Sequence, residues 1–157
     1  MAEYTDITGD IKAKLEEISG IGMVYDYERQ VVDLGAFIGL FKSPTGKILG
    51  WEITRAQVTE KWLTAKYYAC NRMVVRGYMG LQDASQSSVA FQQLVNAVRA
   101  KFRNAQPADP GATWNYQDGD NPSNSPVQVP VINDRMFGVV LCHYVEIHIA
   151  VQEGIVV

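Results

Sequence analysis

Two stretches of alternating side chains constrain this chain more than anything else in it. In "KILGWEITRAQV", Leu49, Trp51 and Ile53 point one way, and Glu52 and Thr54 point the other. In "AKYYACNRMVVRG", Tyr67, Ala69, Met73 and Val75 make one face, while Lys66, Arg72 and Arg76 make the opposite one. A repeat of two marks a strand with a buried side. Two such runs close in sequence predict an antiparallel pair. The intervening "TEKWLT" has none of the dipeptides that close a two-residue hairpin. The expectation is therefore an extended connection and a long, protruding arm.

Helices supply the cover for such a sheet. "DASQSSVAFQQLVNAVRAKFRN" places Phe91, Leu94, Val95, Val98 and Phe102 on one stripe, with Asp83 and Gln86 at capping-box spacing. Arg99, Lys101 and Arg103 gather at its C-terminal end, where cations suit the helix dipole. Near the N-terminus, Ile7, Ile11, Leu15 and Ile18 predict a helix with Thr5 as N-cap and Gly20 as stop. "GMVYDY" reads as a short strand. Leu34, Phe37, Ile38 and Phe41 make a shorter helical stripe before the turn "KSPTGK". "VQVPVIN" reads as an edge or bulged strand because Pro130 cannot donate to a ladder. "DRMFGVVLCHYVEIHIAVQE" reads as one long final strand.

The fold class that follows is α+β, a single domain over residues 1–157. It combines a mixed or antiparallel sheet of about 4–5 strands with helices packed on one face and one extended β-hairpin. Residues 104–126 stand apart as a long acidic, Pro-rich loop. They hold four of the six prolines and no Lys or Arg, and they outrun the usual connection. Trp114 and Tyr116 in this loop either bind a partner or pin the loop to its own domain. The closing "GIVV" is an apolar tail that either docks on a neighbour or frays.

Composition narrows the function. A net charge of −3, with basic residues scattered, argues against a nucleic-acid-binding module. Two cysteines, Cys70 and Cys142, make no disulfide framework and suit a reducing compartment. The N-terminus lacks the pattern of a signal peptide, and no run approaches the ~20 apolar residues that span a bilayer. The expectation is a soluble protein made in the cytosol.

The residues that suggest chemistry all fall on the last strand. Cys142, Tyr144, Glu146 and His148 share one face; Leu141, His143, Val145, Ile147 and Ile149 share the other. Six residues of strand span ~20 Å. Cys142 and His148 therefore cannot share a metal with bonds of ~2 Å. Glu146 and His148 are only two ligands, and His143 reads as a hydrogen-bonded core or interface histidine. "DGDNPSNS" opens like a calcium loop and then fails at Pro122 and Ser123. No phosphate loop or dinucleotide fingerprint is present. Neither a catalytic set, a metal site nor a cofactor site is expected. A thiol-dependent hydrolase using Cys70 or Cys142 is the enzymatic alternative.

What remains is association. Tyr68 and Cys70 share a face with Lys66, Arg72 and Arg76, and such mixed faces suit subunit contacts. Arg72 and Arg76 are placed to pair with Glu146. The expected interface residues are Trp51, Arg55, Arg72, Arg76, Tyr78, Trp114 and Tyr116.

Three blocks carry a resemblance: "YDYERQVVDLGAFIGLFKSPTGKILGWEITR" (25–55), "VVRGYMGLQDASQSSVAFQQLVNAVRAKFR" (74–103) and "RMFGVVLCHYVEIHIAVQE" (135–153). In content and order they resemble small proteins of tailed bacteriophages encoded among head–tail joining genes, above all the tail terminators of siphophages. The resemblance leaves out the acidic loop. It implies a non-enzymatic virion protein, assembled in the bacterial cytoplasm, whose copies close into a hexameric ring. The ring stops tail-tube polymerisation and meets the neck. The implied partners are further copies of this chain, the tail-tube protein and a neck or head-completion protein. Genomic DNA would pass through the lumen without specific binding, and no membrane is involved. A head-completion or neck connector between portal and tail is the alternative within the same class. Asp109, Asp118 and Asp120 would suit a lumen wall that DNA must slide past.

Overall fold

The computed structural model describes residues 4–29, 39, 41, 48–82, 86–137 and 140–155. In chain order the elements are helix α1 (Tyr4–Glu16) and strands β1 (Met23–Tyr25), β2 (Leu49–Leu63) and β3 (Lys66–Gly80). Helix α2 (Ser87–Arg103) follows, then strands β4 (Trp114–Tyr116), β5 (Val127–Phe137) and β6 (Val140–Ile155). The class is α+β and mostly sheet. The sheet is mixed and has six strands, more than sequence alone suggested. Its order is β1-β2-β3-β6-β4, with β5 also on β6; β1 runs parallel to β2, and every other pair is antiparallel. The stripe residues Leu34, Phe37 and Ile38, the "KSPTGK" turn and Asp83 lie outside the described residues.

The main core lies between the helices and one face of the sheet. Ile7, Ile11 and Leu15 of α1 and Phe91, Val95, Val98 and Phe102 of α2 are buried against Trp51, Ile53, Met73, Val75, Val145, Ile147 and Ile149. At about 25 cal/mol per Å² of apolar surface, this layer is the dominant favourable term. Trp51 is its anchor. The side chain is fully buried, its Nε1–H donates to the Ile21 carbonyl at 2.7 Å, and its ring stacks on Phe91. The ring lies flat on Gly77, where a Cβ would fall 2.3 Å from a ring carbon. Only glycine lets the tryptophan reach that depth.

The opposite face has its own smaller cluster. Phe41, Tyr78, Cys142 and Tyr144 are buried there, with Phe137 and Val140 against them. Both faces of β3 are thus covered, and Val74 and Val75 are both buried. The buried carboxylate beside this cluster, Glu52, is 4% exposed and hydrogen-bonded through both oxygens. It accepts from the Tyr78 hydroxyl at 2.8 Å and from the Arg29 backbone N–H at 3.1 Å. Burial, and then the neighbouring Glu52 charge, push the Tyr78 phenol well above its ordinary value.

Four local expectations change. The connection between β2 and β3 is tight: both strands run to Leu63↔Lys66, leaving only Thr64 and Ala65 in the turn. Both have positive φ, 51° and 62°, as a type I′ turn requires. Neither residue favours that conformation, which explains why "TEKWLT" gave no turn signal. The stretch from Asp134 onward is two strands rather than one, since Phe137 pairs with Val140 across Gly138 and Val139. Helix α2 starts at Ser87, with Gln86 in a left-handed conformation and no side-chain cap, so the capping-box register does not apply. Helix α1 ends at Glu16, four residues before Gly20. The edge strand β5 does shift register between Gln128 and Val131, around Pro130.

The turn yields a test. A β-branched residue held at positive φ costs about 1–3 kcal/mol. Replacing Thr64→Asn together with Ala65→Gly should stabilise the chain by about 1 kcal/mol, or about 2–4 °C in thermal unfolding. An unchanged or lower midpoint would show that the turn is unstrained.

Candidate functional site

Strand length decides what this fold leaves exposed. β2 and β3 have 15 residues each and β6 has 16. At about 3.3 Å per residue they extend about 50 Å. The helices have 13 and 17 residues, about 20–26 Å at 1.5 Å per residue. Neither helix spans the strands. Beyond a bulge between Arg55 and Gln57, β2 is largely exposed, and Val58 and Trp62 lie on the face that Trp51 and Ile53 bury upstream.

Two exposed apolar corners result. The first is the β2–β3 turn, where Val58, Trp62, Leu63 and Tyr67 are 41%, 58%, 50% and 40% exposed. Trp62 and Tyr67 pair directly across the strands with ring centroids 4.6 Å apart. They border a cleft of about 470 Å³ that Tyr68, Thr113 and Ile155 help to line. The second corner is the β5–β6 turn, where Ile132, Met136 and Leu141 are 44%, 59% and 39% exposed. Register places the two far apart. Tyr67 lies opposite Ile155 at one end of β6, and Gly80 lies opposite Cys142 near the other. The first corner sits on the β2 side of the sheet, the second on the β5 side. They occupy diagonal positions.

The expected interface residues divide into two groups. Trp51, Tyr78, Trp114 and Tyr116 are buried within the subunit, so their side chains serve its own core. Tyr116 and Trp114 pack edge to face, and the Tyr116 hydroxyl donates to Asp10 of α1. Of the two roles open to this pair, the pinning one is what the contacts describe: β4 ties residues 114–116 to β6. Arg55 and Arg72 are exposed. Arg55 lies over the Tyr4 ring, 5.1 Å from its centroid. Arg76 is half-buried and faces Glu146, its register partner, at 3.9 Å. The corner residues Trp62, Leu63 and Met136 were not among the expected set. Periodicity shows that a face is apolar but not where its cover ends.

On the other face of the sheet a polar groove of about 560 Å³ runs beside β5, lined in part by Arg72, His148, Asp118 and Asp120. Burial, and then the Arg72 charge, lower the His148 pKa. Asp120 bridges to Lys61 at 2.9 Å, and Asp118 accepts from the backbone N–H groups of Asp120 and Asn121. Among the described residues no three His, Cys, Asp or Glu side chains group as metal ligands. No helix among them is long and apolar enough to cross a membrane.

The thiols are poor nucleophiles where they sit. Cys142 is fully buried, and burial pushes its thiol up to about 11. Burial, and then nearby Asp120, raise Cys70 as well. Both are thiols at neutral pH, and only the thiolate attacks. No protein-family model matches the chain, and no curated protein matches it.

Cys142 also fixes a pH dependence. A group whose folded pKa is raised contributes stability below its ordinary value and loses it as pH climbs through the folded one. Stability should therefore fall between about pH 9 and 11. Tyr144 shifts in the same direction. Cys142→Ala should flatten part of that fall in denaturant titrations. Iodoacetamide at pH 8 should label Cys142 only after unfolding; rapid labelling of folded protein would refute the burial argument.

Proposed function

We propose that this chain is a structural protein of a tailed-bacteriophage virion, a tail terminator whose copies form a ring that ends the tail tube and joins it to the neck. The diagonal placement of two unlike apolar corners carries this reading. Cyclic assembly needs a heterologous contact, in which one surface of a subunit meets a different surface of the next. A subunit with a Trp62–Leu63–Tyr67 corner on one side and an Ile132–Met136–Leu141 corner on the other has two such surfaces. A single patch would favour a two-fold dimer instead. The resemblance of residues 25–55, 74–103 and 135–153 to tail terminators supports the same reading. It suggests six copies.

Terminating a tube takes steric blocking and adhesion, with no reaction required. The helices and the compact core keep the subunit rigid, and the long β2–β3 hairpin is the arm that reaches its neighbour. The acidic segment containing Asp109, Asp118 and Asp120 is the candidate lumen wall, where a negative surface lets DNA slide. Asp120 is already neutralised by Lys61, so Asp109 and Asp118 would contribute most of that charge.

Head-to-tail assembly makes an unusual prediction. Trp62→Glu and Met136→Glu should each give folded monomers, with stability changed by no more than about 0.5 kcal/mol, since both side chains are exposed. Mixed together, the two variants retain one good junction between them and should form a one-to-one dimer that cannot grow. Light scattering reads this directly. Failure of the mixture to associate would exclude the contact. Self-association of either variant alone would point to a two-fold interface instead.

The function has its own test. Removing the protein from an assembling phage should give overlong, headless tubes. Normal tails beside unsealed heads would assign it instead to head completion, as a connector between portal and tail.

A further inference from the structure

The β5–β6 corner holds an arrangement that ring closure does not use. Ser87 Oγ lies 2.9 Å from His143 Nε2, and His143 Nδ1 lies 2.7 Å from Asp134 Oδ1. Asp134 lies directly opposite His143 in the β5–β6 register, and the ring of His143 stacks on Phe91. The hydrogen bonds set the proton positions. A carboxylate only accepts, so Nδ1 carries the proton and Nε2 is left to accept. Ser87 Oγ takes the Gln82 backbone N–H at 2.8 Å, which leaves its own hydrogen for Nε2. Nucleophile, base and orienting acid are thus in series, the arrangement that activates a serine hydroxyl.

The backbone around Ser87 has a similar character. Ser87 opens a 17-residue helix, with six residues between it and the end of β3 at Gly80, and Gln86 before it is held at φ 54°, ψ 47°. The positive end of the α2 dipole therefore lies at the hydroxyl, where developing negative charge is stabilised. Ser87 and His143 are 7% and 5% exposed, which keeps the relay out of bulk water, while the Asp134 side chain reaches the surface. The neighbouring row pairs Met136 with Leu141, and the Leu81 N–H donates to the Leu141 carbonyl. All three side chains are exposed, so this end of the sheet is apolar next to the His143–Asp134 row.

We propose that Ser87, His143 and Asp134 form a nucleophilic serine site for esters of short apolar acids. Ser87 Oγ adds to the ester carbonyl carbon as its proton passes to His143 Nε2. The carbon–oxygen bond to the alcohol then breaks, and the alcohol leaves with that proton, giving an acyl-serine. Water, deprotonated by the same nitrogen, releases the acid and restores the hydroxyl. Asp134 holds the imidazole ring and balances its transient charge.

The intact chain is treated with a fluorophosphonate probe and digested, and the adduct is mapped. The expected result is one adduct, on Ser87, absent after denaturation. Asp134→Asn and His143→Gln should slow its formation by about 100-fold or more, while Asp134→Glu recovers part of the rate. p-Nitrophenyl butyrate should be hydrolysed with the same order of variants. No adduct on Ser87 at millimolar probe in the monomeric Trp62→Glu chain overturns the site, as does labelling indifferent to Asp134 and His143. If Ser87→Ala does not fold, mapping on chains that keep Ser87 still decides. Trp62→Glu disrupts only the ring contact and should label at least as fast as the unaltered chain, so the site and the ring stand or fall separately.

Discussion

A sheet longer than the helices that cover it is the constraint on which the other features depend. The middle of β2, β3 and β6 is sealed by α1 and α2, and there the strands hold Trp51, Met73, Val75 and Ile147 in a dry layer. Past the helix ends Trp62, Leu63 and Met136 meet solvent. Exposed apolar surface of that kind, gathered at two corners, marks a place for association. A sheet cut to the helices' length would have been self-contained. The extra length gives the subunit two sides, and two unlike sides are what separate a ring from a pair.

The opposite face shows why β3 can be so long without becoming unstable. Its outward residues are neither wholly polar nor wholly apolar, and the structure divides them along the strand. Tyr78 joins Phe41, Phe137 and Tyr144 in an aromatic cluster at one end, and Arg76 and Arg72 follow toward the other. Glu52 accepts from Tyr78, and Glu146 pairs by charge with Arg76 at 3.9 Å. A buried carboxylate left unpaired would cost several kcal/mol; here Glu52 has both a hydroxyl and a backbone donor. The mixed face that sequence reading assigned to subunit contacts is, for Tyr78, part of the subunit's own packing.

How much was legible follows from which signals were local. Alternation gave β2, β3 and the faces of β6 correctly, because a strand's two sides are written in consecutive residues. Pro130 announced the irregularity in β5 for the same reason. The turns were less readable. Thr64 and Ala65 adopt positive φ without glycine or asparagine, since fourteen register pairs between β2 and β3 impose the turn from outside. No Asn-Gly or Gly-Gly pair stands between Phe137 and Val140, so the division into two strands was not legible. Burial was least readable of all. Trp51 and Trp62 lie on the same strand and look alike in sequence, yet one is at 0% exposure and the other at 58%. What separates them is how far the helices reach.

The Ser87 relay depends on the β5–β6 register. With Phe137 paired to Val140, Asp134 falls opposite His143 without further adjustment. The hairpin thus does two things at once: it projects Met136 and Leu141 outward and brings a carboxylate to an imidazole. A subunit docked on this corner would cover the border of the serine site, because the same side chains line both. In the proposed ring, closure and access to Ser87 would therefore compete for one surface. On the two proposals together, the chemistry would belong to the free subunit or to the open end of an incomplete ring, and assembly itself would shut it off.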